Sequence, residues 1–209
     1  MEATHRQRRL RALIRKLNKE RKRQAQKIDI ICGDLISAHR ACIQQLDTIG
    51  FAASFYEVLV GLTELSVLLY TAGRLFKNKI PDANFAFFVR REDNFELHML
   101  ENDRPIALDS EDLKSCFTAE LVANICRSNR ICTLEDMFAM GLQGNPVMFD
   151  RICAAAIPLQ GRGSSPGFML VCRNRKNRLT ANELRSAVAV VPGLSRAIQS
   201  CRSQSHARG

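Results

Sequence analysis

Residues 151–198, RICAAAIPLQGRGSSPGFMLVCRNRKNRLTANELRSAVAVVPGLSRAI, decide how the chain is organised. Two short apolar runs are separated by Gly161, Gly163, Pro166 and Gly167. A basic turn follows, and then apolar residues at helical spacing. The stretch reads as strand, glycine-rich turn, strand, basic turn and amphipathic helix, so it predicts a β-hairpin feeding a closing helix. Thr180 and Glu183 set the helix start: the hydroxyl accepts from the amide three residues on, and the carboxylate reaches back to the Thr180 amide. The helix is predicted to begin at Ala181.

This order resembles the end of a GAF domain. There a strand ending in a Pro-Leu pair, here Ile157-Pro158-Leu159, is followed by a turn, a second strand and a Leu-Thr-x-x-Glu helix, here Leu179-Thr180 and Glu183. The resemblance extends back to about Ser54 and lies in the pattern of elements more than in single residues. It implies an α+β fold in which an antiparallel sheet is flanked by helices on both faces, and a sensory or dimerisation module in signal transduction. A fold of this kind hosts many ligands and some chemistry, so it does not fix the function.

Working outward, the net charge of +10 on 209 residues is unevenly placed. Residues 1–27 hold eleven Lys and Arg against Glu2 and Glu20, a net of +9, which leaves +1 for the rest. Eight cysteines (32, 42, 116, 126, 132, 153, 172 and 201) include no Cys-x-x-Cys pair, and most sit in apolar runs. They read as reduced, buried thiols of a cytoplasmic protein. The N-terminus is charged with no apolar run before Ile28, unlike a secretory signal. The most apolar window, residues 51–76, is interrupted by Glu57, Glu64 and Arg74 and is not expected to span a membrane.

From Leu10 a helical stripe steps alternately by four and three. Its apolar positions are Leu10, Ile14, Leu17, Ile28, Ile31, Leu35, Ala38, Cys42 and Ile49, with Arg21, Gln24 and Gln45 as the polar exceptions. A seam this long argues for a parallel coiled coil with a second copy. The alternative is a long amphipathic helix folded back on its own domain. The sequence thus divides into residues 1–50, a basic dimerisation helix; residues 51–202, the GAF-like domain; and residues 203–209, a polar tail expected to be disordered.

Within the domain, Gly50 is expected to end the first helix and Ser54-Phe55-Tyr56-Glu57 to cap a second. Residues 83–89 and 95–100 pair as antiparallel strands about a Glu92-Asp93-Asn94 turn, with Phe85, Phe87 and Val89 on one face and Phe88 on the other. A helix over residues 110–128, a strand over 130–134 and a loop over 139–150 follow. In the closing helix, Pro192 and Gly193 predict a kink or a break.

The resemblance implies a ligand between one sheet face and a lid made by the third helix and nearby loops. Carried onto this chain, the walls are Phe87, His98, Cys116, Cys126, Met137 and Phe149, with the face left open because a one-residue slip inverts a strand. No Cys-His pair of bilin-binding relatives occurs, since Arg127 follows Cys126, and the Asn-Lys-x-Phe-x-x-x-Asp-Glu signature of cyclic-nucleotide binders is missing. A thiol-dependent reductase of the free methionine sulfoxide type is the enzyme alternative. Against it, Cys116 and Cys126 would stand about 15 Å apart on one helix, too far for a disulfide. Arg151-Ile152-Cys153 also stands where that family carries a Ser-Glu pair. His5, His39, His98 and His206 have no metal-site spacing, so no catalytic or metal residue is named. The reading is of a non-catalytic homodimeric regulator with a small-molecule ligand or protein partner. Residues 6–27 are set to meet an acidic protein or nucleic acid, and they carry no aromatics for base stacking.

Overall fold

The computed structural model describes residues 2–91, 94–100, 110–144, 149–161 and 165–207, with side chains apart from those of 2–5, 110, 112 and 204–207. The chain forms two compact units, Met1–Asp47 and Thr48–Gly209. Glu92 and Asp93 of the expected hairpin turn, and residues 145–148 of the expected loop, lie outside the described residues.

Helix α1 (Glu2–Leu59) passes through the positions where the sequence suggests a stop at Gly50 and a new start at Ser54. Tertiary burial decides the matter. Phe51 and Phe55 lie one helical turn apart with ring centroids at 5.7 Å, and Phe55, fully buried, meets Phe76 at 5.1 Å. Burying one such ring yields about 1.5–3 kcal/mol, more than the roughly 1 kcal/mol that a helical glycine costs. The break comes instead after Leu59, at Gly61, whose φ of +86° only glycine adopts without strain. Helix α2 (Leu65–Lys79) follows.

Strands β1 (Asn84–Arg91) and β2 (Asn94–Leu100) form the predicted hairpin, with Phe87 opposite His98 and Arg91 opposite Asn94. The single helix expected over 110–128 is two, α3 (Ser110–Cys116) and α4 (Ala119–Ser128). Thr118 separates them by capping α4, its hydroxyl accepting from the Leu121 amide at 3.2 Å. Strand β3 (Cys132–Thr133) leads into α5 (Leu134–Ala139), whose start is a reciprocal box between Thr133 and Asp136. The chain closes with β4 (Ile152–Leu159), β5 (Gly167–Asn174) and α6 (Ala181–Ala207).

The five strands lie in the order β2-β1-β5-β4-β3, and each neighbouring pair is antiparallel. Period-two alternation sends side chains to two separate cores. Phe85, Phe87, Val89, Ile157, Met169 and Val171 pack with residues of α2, α6 and the 51–59 end of α1. Ala86, Phe88, Ala154, Ala156, Phe168 and Leu170 pack with α3, α4 and α5. The α+β architecture with helices on both faces of an antiparallel sheet is therefore the one the sequence implied. Helix α6 begins at Ala181 with its box in place, the Thr180 amide donating to Glu183 Oε2 at 2.7 Å. Pro192 lies inside α6 without breaking it, and the helical backbone continues through Ala207, past residue 203, where the polar composition suggests a tail.

Candidate functional site

The six residues assigned to the ligand walls divide between the two cores. Cys116, Met137 and Phe149 belong to the core under α3–α5, and Cys126 packs half-buried against it. Phe87 belongs to the opposite core, and His98, its cross-strand partner, shares that face. The face that the sequence leaves open for these two is the one turned away from α3–α5. Phe76 of α2 claims Phe85 and Phe87, at 5.3 and 6.5 Å between centroids, so the lid meets Ala86 and Phe88 instead. His98 Nε2 lies 3.4 Å from Glu96 Oε1, two residues away on the same face.

Among the described residues, aromatic side chains pack between the sheet and α3–α5. Phe88 stacks on Phe168 at 4.5 Å and 11° between planes, and Phe117 completes the trio at 4.8 Å from Phe88 and 5.8 Å from Phe168. Phe138 meets Phe149 edge-on at 5.4 Å, and Met137 is fully buried. Such aromatic pairs add about 0.5–1.5 kcal/mol each beyond area burial. Phe117 and Phe168 were absent from the sequence-derived walls. Phe117 follows directly on Cys116 at the start of the break that Thr118 ends, a break that a hydrophobic-period count cannot see.

At the rim of this face stand Cys126, Ser165 and Arg90. Burial pushes the Cys126 thiol up, against the opposing pull of the Ser165 hydroxyl and the Arg90 charge. Ser165 Oγ lies 2.5 and 2.7 Å from the Leu159 and Gly167 carbonyl oxygens, which share its one hydroxyl proton at the ends of β4 and β5. Gly167 must be glycine there, with φ at +144° and the Phe88 carbonyl oxygen only 1.8 Å from where a Cβ would stand. The Cys172 thiol is pushed up to about 12, first by burial and then by Cys153. These thiols are held away from the reactive thiolate form. Because α3 and α4 are separate helices, the axial spacing argued for Cys116 and Cys126 does not hold; what separates Cys116 from solvent is its burial.

On the other side of the sheet α6 borders two open clefts. One of about 810 Å³ is lined by Gln160, Gly161 and a polar ridge of α6 that includes Arg196 and Gln199. A smaller one of about 380 Å³ lies between Tyr56, Leu59 and Val60 and the Pro192–Gly193 step. Here the Tyr56 hydroxyl donates to the Ala189 carbonyl at 2.8 Å. Gly193 lets the ring approach, since a Cβ there would stand 2.0 Å from Tyr56 Cε1. The sequence signals Pro192 and Gly193 as a helix defect, whereas Gly193 in the fold makes room for this ring. Among the described residues no cluster of three His, Cys, Asp or Glu side chains is placed to hold a metal, and no helix is long and apolar enough to cross a membrane.

No protein-family model matches the sequence, and no curated protein does. Solved structures match the fold. The chain is similar to the GAF domain of a phosphoenolpyruvate-protein phosphotransferase from Coxiella burnetii, with a TM-score of 0.58 at 12% identity over 77% of this chain and 98% of that one. It is similar also to a GAF domain/HD domain protein from Geobacter sulfurreducens, with a TM-score of 0.52 at 16% identity over 69% and 98%. A third is the GAF domain of an Acinetobacter phosphoenolpyruvate-protein phosphotransferase, with a TM-score of 0.50 at 15% identity over 79% and 96%.

Proposed function

With a GAF-like domain as the premise, we propose that this protein is a non-catalytic regulatory module that works by self-association through α1. The observation that carries the reading is the apolar stripe of residues 10–49. Leu10, Ile14, Leu17, Ile28, Ile31, Leu35 and Ile49 are each more than half exposed, Leu35 at 68%. Leu13, Ile36, Ile43 and Leu46 are equally exposed and widen the stripe beyond the nine positions of the seam. At about 100° per residue the stripe covers an arc of roughly 140° along about 58 Å of helix. Isolated surface leucines need no explanation, but two apolar runs along one face, Leu10 to Leu17 and Ile28 to Ile49, parted by the polar Arg21 and Gln24, do. A second copy presents the same band, which makes it the self-complementary occupant. The breadth of the arc suits a bundle of helices better than the narrow seam of a two-stranded coil.

The aromatic packing of Phe88, Phe117 and Phe168 under α3–α5 supports a structural role for that face, and the burial of Cys116, Cys132 and Cys172 supports a role without turnover at those thiols. The test is light scattering on the full chain, which should give the mass of two or more copies. Leu35→Glu places charges in the shared band and should give the mass of one chain, since a buried unpaired charge costs several kcal/mol. A Leu35→Glu protein of unchanged mass and melting temperature would sink the proposal. A thermal-shift screen of nucleotides, haem and small acids tests the ligand alternative, for which a rise in melting temperature that grows with concentration is the positive result.

A further inference from the structure

The apolar band is one side of a two-sided helix. At about 100° per residue, nine of the eleven Lys and Arg between Arg6 and Lys27 fall in an arc of roughly 160°, from Arg11 at one margin to Arg9 and Lys27 at the other. The centre of that arc is opposite Leu10, Leu13, Ile14 and Leu17. Glu20, the one carboxylate between residues 6 and 27, lies outside the arc. The basic side chains are exposed. If two copies meet through the apolar band, the basic arcs face outward.

We propose that the outward arc, residues 8–27, binds the phosphate backbone of duplex DNA without reading its sequence. This rests on the self-association reading only for what occupies the apolar side. Three observations select duplex DNA among polyanions. First, seven of the eleven basic residues are Arg, whose planar fork pairs two donors with a phosphate. Second, residues 1–50 contain no Phe, Tyr or Trp, so they offer no stacking platform for single strands. Third, the arc runs about 28 Å along one outward face of a straight helix, a rigid row of charge suited to the rigid phosphate backbone of a duplex. A membrane surface would need the apolar band that the second copy covers.

The experiment is fluorescence anisotropy of a labelled 25-base-pair DNA duplex of arbitrary sequence with the full chain over a range of salt. Expected is a log–log salt slope of about −4 or steeper, since each phosphate neutralised contributes about −0.9. Affinity should not depend on sequence. The triple variant Arg15→Gln, Lys19→Gln, Arg23→Gln, at the centre of the arc, should keep the oligomeric mass, bind at least about tenfold more weakly and lose about 3 from the slope. Tighter binding to a single-stranded oligonucleotide, an RNA duplex, polyglutamate or phosphatidylserine-containing vesicles than to the DNA duplex overturns the proposal, as does a triple variant that binds like the wild type. A single-chain mass with DNA binding intact overturns the association reading and leaves this one standing; an oligomer that does not bind DNA does the reverse.

Discussion

Gly193 lies where the ring of Tyr56 crosses α6, and this makes it an exception to the rule that alanine stabilises a helix interior. Gly193→Ala gains about 1 kcal/mol of helix propensity. It also sets a Cβ 2.0 Å from the ring, and overpacking of that kind typically costs about 1–3 kcal/mol. The variant should therefore melt lower than the wild type, and combining it with Tyr56→Ala should cost less than the sum of the two single changes. Strict additivity in that double-mutant cycle would mean that the ring and the glycine are not coupled. Asp136 carries a different kind of information. The Thr133 amide, then Arg130 and the Thr133 hydroxyl, hold its carboxyl down from the usual 3.8 to about 2. Since the folded value lies below the unfolded one, the start of α5 is fully supported above about pH 4 and loses that support as pH falls toward 2. An NMR titration should find the Asp136 carboxyl still ionised at pH 3. A midpoint near 4 would refute the assignment.

Among the elements, what the sequence discloses depends on how local the deciding contact is. The Thr180–Glu183 box spans four residues, and its outcome, a helix beginning at Ala181, is legible in those residues alone. The continuation of α1 past Gly50 is not, because Phe55 is stabilised by Phe76, twenty-one positions away and on another helix. The alternation of β1 is also legible, yet which face meets the lid is not: a period of two is symmetric, and only the position of α2 breaks the tie. That is why Phe87 and His98 were set among the ligand walls while Cys116, Cys126, Met137 and Phe149 do gather on one side. Glu183 has a second duty that the box conceals. It binds Arg173, 4% exposed, whose Nη2 lies 2.9 Å from Glu183 Oε1 and 2.6 Å from the Pro81 carbonyl. Burial pushes the Glu183 carboxyl up, but the Thr180 amide and hydroxyl together with Arg173 outweigh it and leave it below the usual value. Glu183→Ala should consequently cost about 3 kcal/mol, because the guanidinium loses its counter-charge in the core. Thr180→Ala, which removes a cap alone, should cost about 1 kcal/mol. Equal losses in urea unfolding would show that the ion pair adds nothing.

For the whole molecule, the division at Asp47 and Thr48 makes a separate expectation. Residues 48–209 contain both cores, so they should melt in one cooperative transition when expressed alone, and they should elute with the mass of a single chain. Persistent association of that fragment would move the subunit contact onto the domain. Removing residues 1–27 should abolish DNA binding, whereas ending the chain after Arg202 should leave it unchanged. The seat of Tyr56 also has an optical consequence. The protein has no tryptophan and two tyrosines, and Tyr70 is 58% exposed. In a Tyr70→Phe protein the whole near-ultraviolet emission would come from the one ring wedged against Gly193, its hydroxyl tied to the Ala189 carbonyl. Lifetime, polarisation and iodide quenching of that emission would then report, without any attached dye, each time the last turns of α1 part from α6.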